Sequence, residues 1–245
     1  MIYDYKIGKD KIEDIILNNT EIKETDKIPK DDTDFTYDNG IKTWVGAVFV
    51  DIISSTELIE NKNELEVSKI LRAFSSEVIS IMNNSENARQ IGIRGDCVFG
   101  VFSVPKQNDV YELSRITFYI NDLVKMLNKL LTKYGYSTIE VGIGMAIGKD
   151  LVIKAGKKGT GINDMIWIGD SVVKACNLGN IAGRDGNKTI AFSSLAYSNF
   201  IDEMVKNNSE KSAEEIKGWF SYNYENKCYF ADIIISDFDD YINQL

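Results

Sequence analysis

Hydrophobic positions along the main part of the chain recur with the periods of strands and helices. In order, the segments are predicted as strand, helix, strand, strand, helix and strand over 45–53, 67–81, 89–93, 97–104, 113–135 and 139–147. The first segment is almost continuously apolar, which is typical of a central strand covered on both faces. The order is that of the ferredoxin-like split βαβ arrangement, so the predicted fold class is α+β.

Further periodic segments flank this unit on both sides. They are predicted as a helix over 9–18, a strand beside the sixth segment over 151–154, a helix over 169–183, a strand over 188–193 and an aromatic hairpin over 219–224 and 228–235. Phe35 is expected to pack onto the main unit. The chain therefore divides into an N-terminal helix and linker (1–43), a main domain (44–195), and a C-terminal helix and hairpin packed on the same domain (196–245).

The charge and the histidine content exclude several classes of function. The chain has no histidine, so imidazole-based catalysis and ordinary zinc sites are excluded. Any bound metal must be held by oxygen ligands, which favours Mg²⁺ or Mn²⁺. The formal net charge of −9 argues against nonspecific nucleic-acid binding, which needs a basic surface. A polyphosphate substrate stays compatible with this charge, because metal ions offset it locally.

Neither a membrane span nor a secretory signal is visible in the sequence. No stretch approaches the roughly 20 consecutive apolar residues of a membrane helix, and residues 1–10 are polar and charged. The three cysteines have neither disulfide nor zinc spacing, and Cys97 and Cys176 are expected to be packing residues. These features predict a cytoplasmic protein without membrane attachment.

Two aspartates stand out because of where they occur. Asp51 interrupts the apolar run 45–53, although burying an unpaired carboxylate costs on the order of several kcal/mol. Asp96 lies at the tip of the predicted hairpin, which borders the first strand in a ferredoxin-like sheet, so the two carboxylates can converge. Such a pair suits two hard divalent ions that clamp the oxygens of a phosphate. A buried Asp51–Arg94 ion pair and an ordinary turn aspartate at position 96 remain alternative interpretations.

The segment that follows Asp51 is a candidate phosphate site. It leads into the next predicted helix and consists of Ile52, Ile53, Ser54, Ser55 and Thr56. Backbone N–H groups at a helix start attract anions, so this segment is predicted to cradle a triphosphate.

Three motifs of the chain resemble those of class III nucleotide cyclases. VFVDIISST (48–56) and RGDCVFGVF (94–102) are similar to the two metal motifs of that family, and WIGDSV (167–172) is similar to the start of its transition-state helix. The resemblance covers roughly residues 44–195. It implies the cyclase catalytic fold and a homodimer, in which each active site lies at the interface and is completed by the partner chain.

The same resemblance implies roles for individual residues. Asp51, Asp96 and the Ile52 carbonyl would hold two Mn²⁺ or Mg²⁺ ions, and the ribose 3′-oxygen would attack the α-phosphorus in line. The nucleoside triphosphate itself would be bound by residues of both metal motifs, namely Phe49, Ile52, Ile53, Ser54, Ser55, Thr56 and Arg94. Arg94 is a candidate for contacting a small base or a phosphate, with a salt bridge to a nearby carboxylate as the alternative.

The N-terminal part is similar to a narrower group, the bacterial pyrimidine cyclases of Pycsar antiphage defence. The similarity lies in YDY (3–5), IP (28–29), FTYDNG (35–40) and WVGA (44–47). It implies cyclisation of UTP or CTP to the 3′,5′-cyclic nucleotide and pyrophosphate, with UTP favoured by its frequency in that group. The cyclic product would act on a separate effector as a second messenger in antiviral defence.

The chain departs from the purine cyclases at two groups of positions. Their base-recognition residues are replaced by Gly92 and Ile166, which cannot hydrogen-bond an adenine edge through their side chains. On the predicted transition-state helix, Val173 and Asn177 stand where the family has asparagine and arginine.

Several residues of this region could replace the missing groups. Asn177 and Lys174 are the candidate catalytic residues on the helix. Positive charge could also come from the preceding loop, through Lys154, Lys157 and Lys158. A purine cyclase with an unusual base pocket and a degraded nucleotide-binding sensor are the alternative functions, and the two intact aspartates disfavour the sensor.

Overall fold

The computed structural model describes residues 3–30, 32–157, 159–208 and 210–245, so Lys158 lies outside the described residues. The helices are α1 (Tyr5–Leu17), α2 (Ser55–Asn61), α3 (Glu64–Asn83), α4 (Gln107–Lys133), α5 (Asp170–Ile181), α6 (Ser194–Asn207), α7 (Ala213–Lys217) and α8 (Ser236–Gln244). The strands are β1 (Glu21–Glu24), β2 (Asn39–Ile52), β3 (Ala88–Arg94), β4 (Cys97–Ser103), β5 (Val141–Gly156), β6 (Asn163–Ile168), β7 (Ile190–Ser193), β8 (Phe220–Asn223) and β9 (Cys228–Ala231).

One sheet contains all of these strands. Its order is β3-β4-β2-β5-β7-β9-β8, with β1 paired to β2 and β6 paired to β5. β2 lies antiparallel between β4 and β5, and β3 is antiparallel to β4. Together with α3 and α4, these four strands form the ferredoxin-like arrangement, which confirms the predicted α+β fold. The C-terminal hairpin β8–β9 extends the same sheet through β7.

Alternation along β2 decides which helix each side chain meets. Val48, Val50 and Ile52 are buried in the cluster that includes α3 and α4. Ala47 belongs to a second cluster, formed with α5. Successive side chains of a strand point to opposite faces, so Asp51 lies on the α5 face of the sheet.

The structure corrects the predicted boundaries around β5. β5 is one continuous strand, so the prediction of a separate strand over 151–154 is wrong. β2 begins at Asn39, inside the expected linker, and therefore offers hydrogen-bonding partners to β5 from Val141 as far as Ile153. The second half of β5 also pairs with β6, which the sequence did not predict. The helix α6 begins at Ser194 and therefore crosses the boundary that was expected at residue 195, between the main domain and the C-terminal part.

The N-terminal segment is attached to this sheet by a strand and a few buried residues. α1 begins earlier than predicted, and all of its residues except Gly8 are exposed. β1 is parallel to β2, and Ile28 and Phe35 are buried in a cluster with Ile41 and Val152. The expected packing of Phe35 is thus confirmed. None of the helices among the described residues combines the length and the apolar character needed to cross a bilayer.

Candidate active site

Asp51 lies one residue before the end of β2, between two other strands. It pairs with Gly142 on β5, and continuing the register one step beyond the Val50–Val98 pair places it opposite Cys97 on β4. Its side chain is 21% exposed. Burial is the largest influence on this carboxyl group and raises its pKa above the usual value. Its charged form therefore needs a nearby cation.

Asp96 occupies the tip of the β3–β4 hairpin beside Asp51. Gly95 has a φ of 63° and allows the tight turn between Arg94 and Cys97. Besides burial, the negative charge of Asp96 raises the pKa of Asp51, so the two carboxylates are within electrostatic reach of each other. The hairpin thus brings together the two aspartates that the sequence analysis selected.

The ion-pair partner of Asp51 is Arg184, in the turn that follows α5. Its Nη2 donates to Oδ2 of Asp51 at 2.6 Å. Its Nη1 donates to the carbonyl oxygens of Gly179 at 3.0 Å and Ala182 at 3.4 Å, at the end of α5. The alternative pair of Asp51 with Arg94 is not formed, because Arg94 is exposed and has no ion-pair partner within the described ranges.

Arg184 is not among the residues predicted from the sequence, although residues 183–186 carry a local signal. They read GRDG, and Gly183, Asp185 and Gly186 all have positive φ angles, of 68°, 53° and 78°. Such a run of left-handed residues reverses the chain directly after the helix. The turn is recognisable from the sequence, but the contact with Asp51 is not, because it depends on how α5 packs.

Glycines on β5 let the end of α5 lie directly on the sheet. A Cβ at Gly142 would stand 2.1 Å from the Gly179 carbonyl oxygen, 2.5 Å from that of Ala182 and 2.9 Å from Nη1 of Arg184. Gly144 is covered in the same way by the α5 backbone. The missing side chains therefore create the space through which Arg184 reaches the carboxylate.

Two half-buried cysteines lie close to the same carboxylate as neutral thiols. Burial raises the pKa of Cys97 to about 12, and the charge of Asp51 adds to the effect. Burial and Asp51 also raise the pKa of Cys176. Because the chain has no histidine, the donors that the two predicted metal ligands offer at this site are carboxylate oxygens.

This donor set fits hard divalent cations. Two carboxylates converge, and burial and mutual repulsion make Asp51 costly as an unpaired anion. Within the part of the chain that the structure describes, no cluster of three or more acidic, cysteine or histidine side chains suits a metal. Asp51 and Asp96 would therefore share their ions with backbone, water and substrate oxygens, a ligand set typical of Mg²⁺.

Part of the predicted triphosphate cradle lines a cavity. Ile52, Ile53 and Ser54 border a space of about 640 Å³. Ser54 has a φ of 54° and precedes the first residue of α2, Ser55. The N–H of Ile53 donates to the carbonyl of Glu140 at 2.8 Å, so it is not free for a phosphate. The N–H groups left for an anion begin at Ser54, where a helix start has no internal partners.

The other predicted nucleotide-binding residues lie on α2, β3 and β2 and do not line this cavity. Ser55 and Thr56 form the start of α2, and Arg94 ends β3 with an exposed side chain. Phe49 stacks on Phe99, with ring centroids 5.3 Å apart. The contact of these residues with a nucleotide stays a prediction.

The candidate catalytic residues of α5 do not join the carboxylates within one chain. Lys174 pairs with Asp170 at 2.6 Å. Lys174 and Asn177 both line a separate cavity of about 1020 Å³ between α5, β5 and the start of α6, and neither metal aspartate borders it. Lys154 in β5 and Lys157 in the following turn line neither this cavity nor the smaller one.

The two base-recognition positions are apolar in the structure. A Cβ at Gly92 would lie 2.6 Å from the ring of Phe99, so that ring covers the position. Ile166 on β6 is 46% exposed. A polar group that the sequence analysis missed lies on the same two strands, where Gln90 accepts a hydrogen bond from the Trp167 indole at 2.6 Å.

Known proteins resemble this chain in sequence and in fold. It is 41% identical to a uridylate cyclase of Treponema porcinum over 244 residues, which span the whole chain and 82% of the relative. It is 33% identical to a uridylate cyclase of Gulbenkiania mobilis over 190 residues, 75% of this chain and 73% of the relative. Its fold resembles the crystal structure of the adenylyl cyclase CyaB from P. aeruginosa, with a TM-score of 0.58 and 22% identity over 66% of this chain and 83% of that one. No family model matches the sequence.

Proposed function

Because the chain belongs to the uridylate cyclases, a group of class III nucleotide cyclases, we propose that it converts UTP into 3′,5′-cyclic UMP and pyrophosphate. It is thus a pyrimidine nucleotide cyclase, as its motifs implied. The observation that carries the proposal is the convergence of Asp51 and Asp96 at the ends of β2 and the β3–β4 hairpin. Two partly buried carboxylates with oxygen donors alone suit metal-dependent phosphate chemistry.

In the proposed reaction, the ribose 3′-oxygen forms a bond to the α-phosphorus. The bond from that phosphorus to the oxygen bridging to the β-phosphate breaks, pyrophosphate leaves, and the proton of the 3′-hydroxyl passes to water. Asp51, Asp96 and the Ile52 carbonyl would hold two Mn²⁺ or Mg²⁺ ions, which neutralise phosphate charge and acidify the hydroxyl when bound. The N–H groups from Ser54 onward would bind the departing phosphates.

We infer a homodimer because one chain presents an incomplete site next to an exposed apolar surface. Lys174 and Asn177 line a cavity apart from their own carboxylates, so they would serve the site of the partner chain. Large apolar side chains are exposed on β3, β6 and α5, namely Ile93 (53%), Ile166 (46%), Ile168 (47%) and Val173 (57%). A shared interface would remove these side chains from water.

The biological setting is proposed on the strength of the resemblance. UTP is favoured over CTP because both sequence relatives are named uridylate cyclase. Cyclic UMP would then act on a separate effector in defence against phage. Nucleoside triphosphates are kept inside cells, so we expect the protein to work in the cytoplasm, without nucleic-acid or membrane partners.

The test is incubation of the purified protein with ATP, GTP, CTP or UTP and Mn²⁺, followed by mass spectrometry of the products. We expect cyclic UMP as the main product. Product from ATP or GTP alone would contradict the pyrimidine assignment. Tight UTP binding without any product would favour a nucleotide sensor, which Val173 and Asn177 at the transition-state positions make a specific alternative.

A further inference from the structure

Arg184 connects the end of α5 to a predicted metal ligand. One guanidinium nitrogen, Nη1, is held by the carbonyls of Gly179 and Ala182, whereas Nη2 contacts Asp51. The side chain is 25% exposed, so it is only partly shielded from solvent and from a ligand that enters the site. The carbonyl anchors hold the guanidinium in place independently of Asp51.

Arg184 is also the cation that this chain brings to its own carboxylates. Among the described residues, no other side chain forms an ion pair with Asp51. Val173 and Asn177, at the transition-state positions, carry no charge. Lys174 is engaged by Asp170 on the outer side of α5. A triphosphate bound at Asp51 would therefore lie close to the guanidinium of Arg184.

We propose that Arg184 is a catalytic residue that exchanges partners during the reaction cycle. Before the metal ions bind, it neutralises Asp51; once they occupy that carboxylate, Nη2 contacts a phosphate oxygen of the substrate. A divalent ion on Asp51 repels a guanidinium held 2.6 Å from the same carboxylate, and the triphosphate offers new negative oxygens. The proposal rests on the proposed cyclase function, because it needs a metal-bound nucleotide.

Arginine suits this exchange because of its planar, forked group of donors. Nη1 can keep its bonds to the helix carbonyls while the N–H groups of Nη2 donate to a phosphate oxygen in place of the carboxylate. No covalent step involves Arg184; it would stabilise the negative charge that develops on the α-phosphate and on the leaving pyrophosphate. In this role it would take the place of the arginine absent at Asn177.

If Arg184 exchanges partners, removal of its guanidinium should change the affinities for two ligands in opposite directions. Mn²⁺ alone should bind more tightly, because a competing cation has gone from Asp51. A metal-bound nucleotide should bind more weakly, because it loses a charged hydrogen-bond donor. A residue that merely held Asp51 and α5 in place would weaken the binding of both ligands when it is removed.

The test compares Arg184→Gln and Arg184→Lys with the unmodified full chain. Arg89→Gln is the matched control, because Arg89 also donates to backbone carbonyls, those of Ile28, Glu86 and Ala88, but has no carboxylate partner among the residues that the structure describes. Mn²⁺ binding is measured by electron paramagnetic resonance without nucleotide. Binding of 3′-deoxy-UTP, which lacks the attacking hydroxyl, is measured by calorimetry with Mn²⁺, and circular dichroism checks folding.

For Arg184→Gln we expect Mn²⁺ alone to bind up to about fivefold more tightly. We expect 3′-deoxy-UTP to bind about tenfold to a hundredfold more weakly, with both affinities unchanged in Arg89→Gln. Weaker binding of both ligands, or unchanged nucleotide binding, would overturn the proposal. If Arg184→Gln does not fold, Arg184→Lys decides: reduced nucleotide binding with normal Mn²⁺ binding supports the exchange, and normal nucleotide binding refutes it.

The outcome can be told apart from a failure of the proposed function. If the unmodified protein forms no cyclic UMP, the cyclase proposal fails, whereas the Mn²⁺ titrations still report whether Arg184 competes for Asp51. If cyclic UMP forms but the affinities for Mn²⁺ and for 3′-deoxy-UTP change in the same direction, the exchange proposal fails and the cyclase proposal stands.

Discussion

Nη2 of Arg184 lies 2.6 Å from Oδ2 of Asp51, although the two residues are 133 positions apart in the chain. The contact joins the end of β2 to the turn after α5, the two parts of the molecule that carry the proposed chemistry. It also supplies a cation to a carboxylate whose burial raises its pKa. The charge pair therefore lies where we expect the metal ions to act.

Removing either metal carboxylate should abolish turnover while the fold is kept. Asp51→Asn and Asp96→Asn each remove a ligand charge, so we expect cyclic UMP formation to fall by more than about a hundredfold. Product formation is measured by mass spectrometry and folding by circular dichroism. Asp240→Asn, which changes an exposed carboxylate on α8, is the control and should keep normal activity. Full activity of either site variant would refute the metal assignment.

Filling the space at Gly142 should damage both stability and activity. The added methyl group of Gly142→Ala would collide with two carbonyl oxygens of α5 and with Arg184, so the free energy of unfolding should fall by about 1–3 kcal/mol. Urea denaturation measures this change, and turnover should fall with it because Arg184 is displaced. Gly218→Ala, whose nearest neighbours are 3.3 Å away, is the control. Equal stability of the two variants would argue against the close contact.

Mixing two inactive variants should restore activity if the site is shared between chains. Asp51→Asn lacks the metal ligand, and Asn177→Ala lacks the group that we assign to the partner's site. Random reassociation makes half of the dimers mixed, each with one intact site out of two, so recovery should reach about a quarter of normal turnover. A mixture that stays inactive, although mass spectrometry detects mixed dimers, would show that each site needs both residues from the same chain.

The thiol of Cys97 should react slowly at moderately alkaline pH. Burial and then Asp51 raise its pKa from 9.0 to about 12, so between these values the folded chain carries far less thiolate than the unfolded chain. The stability that the protonated thiol contributes is complete below pH 9.0 and is lost as the pH rises through about 12. Alkylation rates from pH 8 to 11, mapped by peptide mass spectrometry, check this. An alkylation rate of Cys97 in the folded chain equal to the rate in denaturant would contradict the raised pKa.

The sequence singled out the two candidate aspartates by their positions along the chain. Asp51 put a charge into an apolar run, and Asp96 sat at a turn between two strands, so both could be found without the fold. The fold then followed from the element order, because split βαβ units have few alternative topologies. Local periodicity and a single misplaced charge were sufficient to select these two candidates, whose role as metal ligands stays a prediction.

Arg184 could not be found in the same way because its role depends on packing. Its partner is distant in sequence, and the contact exists only because Gly142 and Gly144 let α5 approach the sheet. β6 was missed for a different reason. Its exposed positions Ile166 and Ile168 are as apolar as the half-buried Met165 and Trp167, so the sequence lacks the polar–apolar alternation that identifies a strand with one covered face.

The position of α5 has a consequence for how two such sites would communicate. Its outer side presents Val173 and Asn177 to solvent, where we propose the partner's site, while its last turn holds the guanidinium that contacts its own carboxylate. A change of partner by Arg184 would therefore act on a helix that belongs to both centres. Such a dimer would show thermodynamic linkage, in which occupancy of one site alters the affinity of the other.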